Sequence, residues 1–250
     1  MLAKMGMISY SNALPLSYTL ADDPELTVHY DTPNNLHHAL KEAKLDYSLT
    51  SSLHLQDETL IPFSDYGISA HKEVLSVNLY HKVPLSKLDG KTIAISNETS
   101  TSLALLKILC RELWKVTPHF EILSEGQTIE SYEAALLIGD IALKEHRGFL
   151  VCDLATAWYE LTGLPFVFAL FFAQKTTPFL SELNKKIGSS LQSGLQQLIP
   201  ISERVALEKS LPFELVCNYY DKLNYTLGPR EKEGLAQFIA LQKKSHDAYL

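Results

Sequence analysis

Small hydroxyl and amide side chains gather wherever an apolar, strand-like run gives way to a helical pattern. Ser9, Ser11 and Asn12 follow Gly6-Met7-Ile8. Thr50, Ser51 and Ser52 close Leu45-Asp46-Tyr47-Ser48-Leu49, and Thr99, Ser100, Thr101 and Ser102 follow Lys91-Thr92-Ile93-Ala94-Ile95. Ser69 and Ser76 fit the same pattern less fully. Hydroxyls, an amide and free backbone N–H groups at helix N-termini can solvate an anion, including a carboxylate, without an arginine. Any one such cluster also reads as an ordinary helix cap, and Asn12 by itself reads as a cap or as a ligand contact. Three clusters at equivalent places favour a small ligand with more than one carboxylate.

Asp140 follows a glycine at another strand–helix joint. It suits a helix first turn, and it would suit a ligand hydroxyl as an acceptor. The nine histidines show no metal-ligand spacing. His37-His38 falls on a helical pattern, while His54 and His71 follow polar strand ends as rim residues or, alternatively, as bases near neutral pH. Trp158, Phe166 and Phe168 read as core, with a ring-flanking role as the alternative. No glycine-rich dinucleotide or phosphate loop, His-Glu-x-x-His or Gly-x-Ser-x-Gly elbow is present, so nucleotide, metallohydrolase and serine-hydrolase chemistry have no motif behind them.

The elements that must position these residues alternate between strand and helix, which implies mainly parallel sheets. Strands are expected at the opening run, Thr27-Val28-His29-Tyr30, residues 45–52, Gly67-Ile68-Ser69-Ala70 and residues 75–80. A turn-rich connection, Val83 to Gly90, precedes a second set with strands at 91–95, 120–123, 134–138 and 149–153 and a strongly apolar helix from Leu103 to Trp114. The aromatic run 164–173 reads as a buried strand, and most of the rest reads as helix. Residues 1–80 and 171–250 are expected to form one lobe and 81–170 the other, with a substrate cleft between them. A single doubly wound sheet is the alternative.

With 46% hydrophobic and 20% charged residues, the chain has the composition of an ordinary globular protein. A net charge of -7 without a Lys/Arg cluster argues against nucleic acid as a partner. The longest apolar run is half of what a bilayer span needs, so no membrane partner is expected. Three widely spaced cysteines read as reduced thiols, and the opening residues do not resemble a signal peptide. The expected location is cytoplasmic.

In order along the chain, these stretches resemble the chorismate dehydratases of menaquinone biosynthesis by the futalosine pathway. The resemblance rests on Ile8-Ser9-Tyr10-Ser11-Asn12-Ala13-Leu14-Pro15-Leu16, Leu49-Thr50-Ser51-Ser52, Thr99 to Lys107, Ala134 to Asp140, Leu161 to Ala169, and Leu227-Gly228-Pro229-Arg230-Glu231. It implies an α/β fold similar to the two-lobed clamshell of type 2 periplasmic binding proteins. It also implies dehydration of chorismate to 3-[(1-carboxyvinyl)oxy]benzoate with no metal or organic cofactor. Under this reading Asn12 lies beside the reacting centre, and Ser51, Ser52, Thr99, Ser100 and Thr101 bind carboxylates. Ser9, Ser76 and Asp140 are further substrate contacts.

One departure stands out. Members typically carry a Gly-Pro-Val-like turn before the serine of the crossing strand, where this chain has His71-Lys72-Glu73-Val74-Leu75-Ser76. Met7 also stands where many members have arginine. The sister enzyme of the pathway, 1,4-dihydroxy-6-naphthoate synthase, ranks second because its Ser-Pro-Cys-Pro-Asn-Asp-like opening is absent. A non-catalytic small-carboxylate binding protein is the rival from another class.

Overall fold

The computed structural model describes residues 2–96, 100–123, 128–144 and 146–247, the last three by backbone alone. Strand β1 (Ala3–Ile8) leads through a 3-10 turn (Ser11–Ala13) into a single-turn helix, α1 (Leu14–Ser17). β2 (Leu26–Asp31), α2 (Pro33–Lys41), β3 (Tyr47–Ser51) and β4 (Leu60–Ala70) follow. The middle of the chain holds β5 (Val77–His81), β6 (Thr92–Ile95), α3 (Ser100–Leu109), β7 (His119–Ile122), β8 (Ala134–Ile138), β9 (Leu150–Asp153) and α4 (Leu154–Thr162). Last come β10 (Phe166–Gln174), α5 (Leu180–Gln196), α6 (Leu198–Lys209), α7 (Phe213–Lys222), β11 (Leu223–Thr226) and α8 (Pro229–Asp247).

These elements form two compact units, Met1–Ser69 with Val167–Pro229, and Ala70–Phe166 with Arg230–Leu250. The first is built on a six-stranded sheet in the order β11-β4-β10-β3-β1-β2. β1 runs parallel to β2 and β3, whereas β10 is antiparallel to β3. Every residue of β3 is buried, and Met5, Met7, Leu49 and Phe172 are sealed from solvent. Each such side chain contributes about 1.5–3 kcal/mol of burial. α2 starts where Thr32 Oγ1 accepts from the Asn35 N–H and Pro33 fills the first turn, and it buries Leu36 and Leu40.

The second unit has a five-stranded sheet in the order β7-β6-β8-β5-β9. β6 is parallel to β7 and β8, and β5 is antiparallel to β8 and β9. Leu105, Leu106, Ile108 and Leu109 of α3 are fully buried, as the apolar pattern of that stretch requires. Its last turn widens into a π turn, Cys110–Trp114, which ends at Lys115 in the left-handed region. Among the described residues, no helix is long and apolar enough to cross a membrane.

The unit boundaries differ from those expected at 80/81 and 170/171. Residues 70–80 belong with the second unit because β5 is a central strand of its sheet. The C-terminal helix α8 also belongs there instead of returning to the first unit. Phe238 packs edge-on against Phe166 and Trp158, with centroids 4.9 and 6.4 Å apart. A Cβ on Gly234 would stand 2.1 Å from the Pro165 carbonyl oxygen, so only glycine allows this approach. Arg230 donates to the Gly163 carbonyl at 2.7 Å, and Arg111 to that of Leu241 at 3.0 Å. Trp158 and Phe166 are therefore core, 0% and 1% exposed.

Candidate functional site

In the first unit, β1 and β3 are adjacent and parallel, so the stretches that follow them emerge at the same sheet edge. Ser9 and Asn12 come from one, Ser51 and Ser52 from the other, and α2 opens at that edge after β2. This C-terminal edge is where open α/β sheets present ligand-binding groups. Ser9 is exposed, and its N–H donates to the Asp31 carbonyl at 3.1 Å. Ser51 is buried, and its hydroxyl oxygen accepts from the Leu53 N–H at 3.3 Å. Thr50 and Ser52, both 0% exposed, donate their hydroxyls to the Pro33 and Val167 carbonyls at 2.7 Å. These two hydroxyls secure the start of α2 and the β3–β10 pairing.

Asn12 is not a cap. It lies inside the 3-10 turn, whose N-cap is Tyr10, and the cap of α1 is Ala13, neither making a side-chain cap bond. The Asn12 side-chain oxygen is buried and has no hydrogen-bond partner among the described residues. Leaving such an acceptor unsatisfied costs about 1–3 kcal/mol, an expense a bound hydrogen-bond donor would remove. The segment that carries it is held firmly. Tyr220 and Tyr225 donate to the Ser11 and Asn12 carbonyls at 2.8 and 2.9 Å. The Thr19 N–H donates to Ser190 Oγ at 2.9 Å.

The second unit gathers its candidates at one edge as well. β6 and β8 end there in parallel, β5 begins there, and β9 ends there. Ser100 and Thr101 open α3, and Asp140 sits in the first turn of the 3-10 segment Gly139–Leu143. Ser76 is buried, and its carbonyl accepts from the Gly139 N–H at 2.8 Å. Thr99 lies outside the described residues. Just before Ser76, Leu75 adopts the left-handed conformation with φ 58°. That costs an ordinary residue about 1–2 kcal/mol. Asp153 Oδ2 holds the strained loop by accepting from the N–H groups of Val74 at 2.9 Å and Leu75 at 2.7 Å. Its other oxygen caps α4 through Ala155 and Thr156. Burial pushes the Asp153 carboxyl above its ordinary value, outweighing those four donors. His71 and Lys72, also part of the departure from the family pattern, rest on the Tyr159 ring, 5.3 and 5.1 Å from its centroid.

His54 does not stand alone at a rim. Its ring stacks on that of His37, with centroids 3.6 Å apart and planes within 4°. Burial, aided by the neighbouring His37, lowers His54 to about 3, which leaves it a neutral and weak base at ordinary pH. Asp57, 3.5 Å from His37 and 3.0 Å from Lys41, completes the group. No set of three His, Cys, Asp or Glu side chains among the described residues has the arrangement to hold a metal ion. Burial pushes the Cys110 and Cys152 thiols up to about 12, which removes them as nucleophiles.

Several contributors escaped the sequence reading. Tyr220 and Tyr225 lie more than 200 residues from the turn they hold, and no local spacing signals that contact. Asn78 left a weak signal, as a polar residue between Val77 and Leu79. Its amide nitrogen bridges the Leu75 and Ala142 carbonyls at 2.7 and 3.2 Å, tying together the segments that carry Ser76 and Asp140. Asp153 was legible as an acid between a strand and a helix.

Two α/β units, with small polar residues gathered at one edge of each sheet, define a periplasmic-binding-protein-like fold. Protein AF1704 from Archaeoglobus fulgidus is similar with a TM-score of 0.80 at 18% identity, over 97% of both chains. The alkanesulfonate-binding protein SsuA from Xanthomonas axonopodis pv. citri, bound to MOPS, is similar with a TM-score of 0.67 at 14% identity, over 99% of this chain and 92% of its own. Within that fold the family is narrower. Residues 3–244 match the model of the menaquinone biosynthesis family, and the chain belongs to it. The chorismate dehydratase of Thermus thermophilus is 29% identical over 257 residues, covering 94% of this chain and 93% of its own. That of Campylobacter jejuni is 27% identical over 246 residues, covering 94% and 95%.

Proposed function

We propose that the protein is a chorismate dehydratase, converting chorismate to 3-[(1-carboxyvinyl)oxy]benzoate and water. The observation that carries this reading is the end-to-end similarity to two relatives of that name within a menaquinone biosynthesis family. The buried, unpartnered amide oxygen of Asn12 supports a ligand contact at the first sheet edge.

The chemistry asks little of the protein in groups but much in placement. The C3 proton of chorismate is vinylogous to the ring carboxylate, so its removal pushes charge onto that carboxylate. Loss of the C4 hydroxyl as water then aromatises the ring. The substrate's own enolpyruvyl carboxylate takes the proton and passes it to the departing C4 hydroxyl, so the protein need not supply a base. Its work is to orient the departing hydroxyl and hold the developing charge. We assign Asn12 to the reacting centre through its amide. Ser9, Ser51, Ser76, Thr99, Ser100 and Thr101 are assigned to carboxylates, and Asp140 to a substrate hydroxyl. The Ser52 hydroxyl is committed to Val167, so only its main chain remains in the set.

Incubation with chorismate, followed by ultraviolet spectra and mass analysis, should give a product lighter by one water. Asn12→Ala should lower turnover by about 100-fold, and undiminished turnover would remove Asn12 from the reaction. The fold shared with an alkanesulfonate-binding protein favours one alternative, a non-catalytic anion binder. Such a protein would gain thermal protection from chorismate without releasing product.

A further inference from the structure

The 3-10 turn at Ser11–Ala13 is a single turn, and a segment that short has little stability of its own. Its own hydrogen bonds include Ala13 N–H to Tyr10 and Leu14 N–H to Ser11, one bond for each step. What holds it comes from the far end of the first unit. The Tyr220 hydroxyl, at the end of α7, donates to the Ser11 carbonyl at 2.8 Å, and the Tyr225 hydroxyl, on β11, donates to the Asn12 carbonyl at 2.9 Å. Both tyrosines are 4% exposed. Burial holds the Tyr225 phenol protonated well above its ordinary range, so it remains a donor. The two phenols grip consecutive peptide groups, which sets the direction of the Asn12 side chain between them.

We propose that Tyr220 and Tyr225 are positioning residues for the dehydration, acting through the main chain of Ser11 and Asn12 to aim the Asn12 amide at the reacting centre. This rests on the role assigned to Asn12 above. A phenol spent on a carbonyl adds modest stability anywhere in a fold. Here two of them converge on the peptide groups flanking Asn12, whose buried amide oxygen lacks a partner among the described residues, and small misplacements of a reacting geometry are costly in rate.

The test is a kinetic double-mutant cycle with chorismate. Tyr225→Phe keeps the ring and its packing and should lower kcat by about 10-fold, with KM nearly unchanged. In an Asn12→Ala background the same substitution should leave the residual turnover unaltered. Replacing Tyr225 by 4-aminophenylalanine, which keeps an N–H donor at the same position, should restore kcat. Equal losses of kcat in both backgrounds, or full kcat in Tyr225→Phe, would overturn the positioning role. If Tyr225→Phe does not fold, Tyr220→Phe carries the same cycle, because the Ser11 carbonyl keeps its Leu14 N–H. The Asn12→Ala variant alone separates the underlying reading: native turnover in it overturns the assignment of Asn12 and the tyrosine role with it. Equal losses in the two backgrounds overturn the tyrosine role only.

Discussion

The two sheet edges carry similar side chains but are held by different means. At the edge of the first unit, the Asn12 turn is gripped by phenols from α7 and β11, separated from it by 209 and 213 residues in sequence. α5 meets the following helix α1 so closely that a Cβ on Gly194 would lie 2.3 Å from the Pro15 carbonyl oxygen. At the second edge the grip is shorter in reach and charged. One carboxylate, Asp153, takes two N–H groups of a strained loop and two of the following helix, and Asn78 ties the neighbouring carbonyls. The first edge is set by close packing that admits no slack. The second stores strain at Leu75 and depends on one acid to keep it.

The largest expected effect follows from the close packing. Gly194→Ala forces main-chain atoms of α1 and α5 apart and should destabilise the protein by about 3 kcal/mol in urea unfolding. Hydrogen exchange should show lost protection around Leu14–Ser17, with Leu75 and Ser76 unchanged. Protection lost equally at both segments would erase the distinction between the edges. Next, Asp153→Asn turns one acceptor into a donor facing two N–H groups and should cost about 2 kcal/mol. Here exchange should accelerate at Val74 and Leu75 and at the start of α4, while the Asn12 turn keeps its protection.

Acid sharpens the contrast further. His54, stacked on His37 beside Asp57, Lys41 and His38, has a folded value of about 3 against an ordinary 6.5. The unfolded chain therefore takes up the proton first as pH falls. The stability owed to neutral His54 is complete above about 6.5 and declines steadily toward 3. Between pH 6.5 and 5.5 the loss should be about 1 kcal/mol. His54→Gln should flatten that slope when urea midpoints are compared at the two pH values. An unchanged slope would show that this histidine does not couple the first unit to acid.

Much of the fold was legible along the chain because it rests on local periodicity. The apolar runs at residues 6–8, 91–95 and 134–138 underlie strands β1, β6 and β8, and Leu105, Leu106, Ile108 and Leu109 form the buried face of α3. β11 was missed because Leu223–Thr226 lies between two strong helical patterns and owes its pairing to β4. Helix α8 falls with the second unit where the sequence suggests the first, because an amphipathic pattern shows which face is buried but not against what. Phe238 settles that by packing on Phe166 and Trp158.

The candidate site divides in the same way. Residue types alone placed hydroxyls and Asn12 after strands, since a strand followed by a helix must present its joint at a sheet edge. The ordered motifs pointed to the menaquinone biosynthesis family, which the match over residues 3–244 shows. Only the tertiary structure decided how those groups are used. It spends the Thr50 and Ser52 hydroxyls on main-chain carbonyls, leaves the Asn12 amide oxygen without a partner among the described residues, and supplies two remote tyrosines to the turn that carries it. The reason is physical: a hydrogen bond is decided by whichever group arrives within about 3 Å, and for a buried turn that group can come from anywhere in the chain.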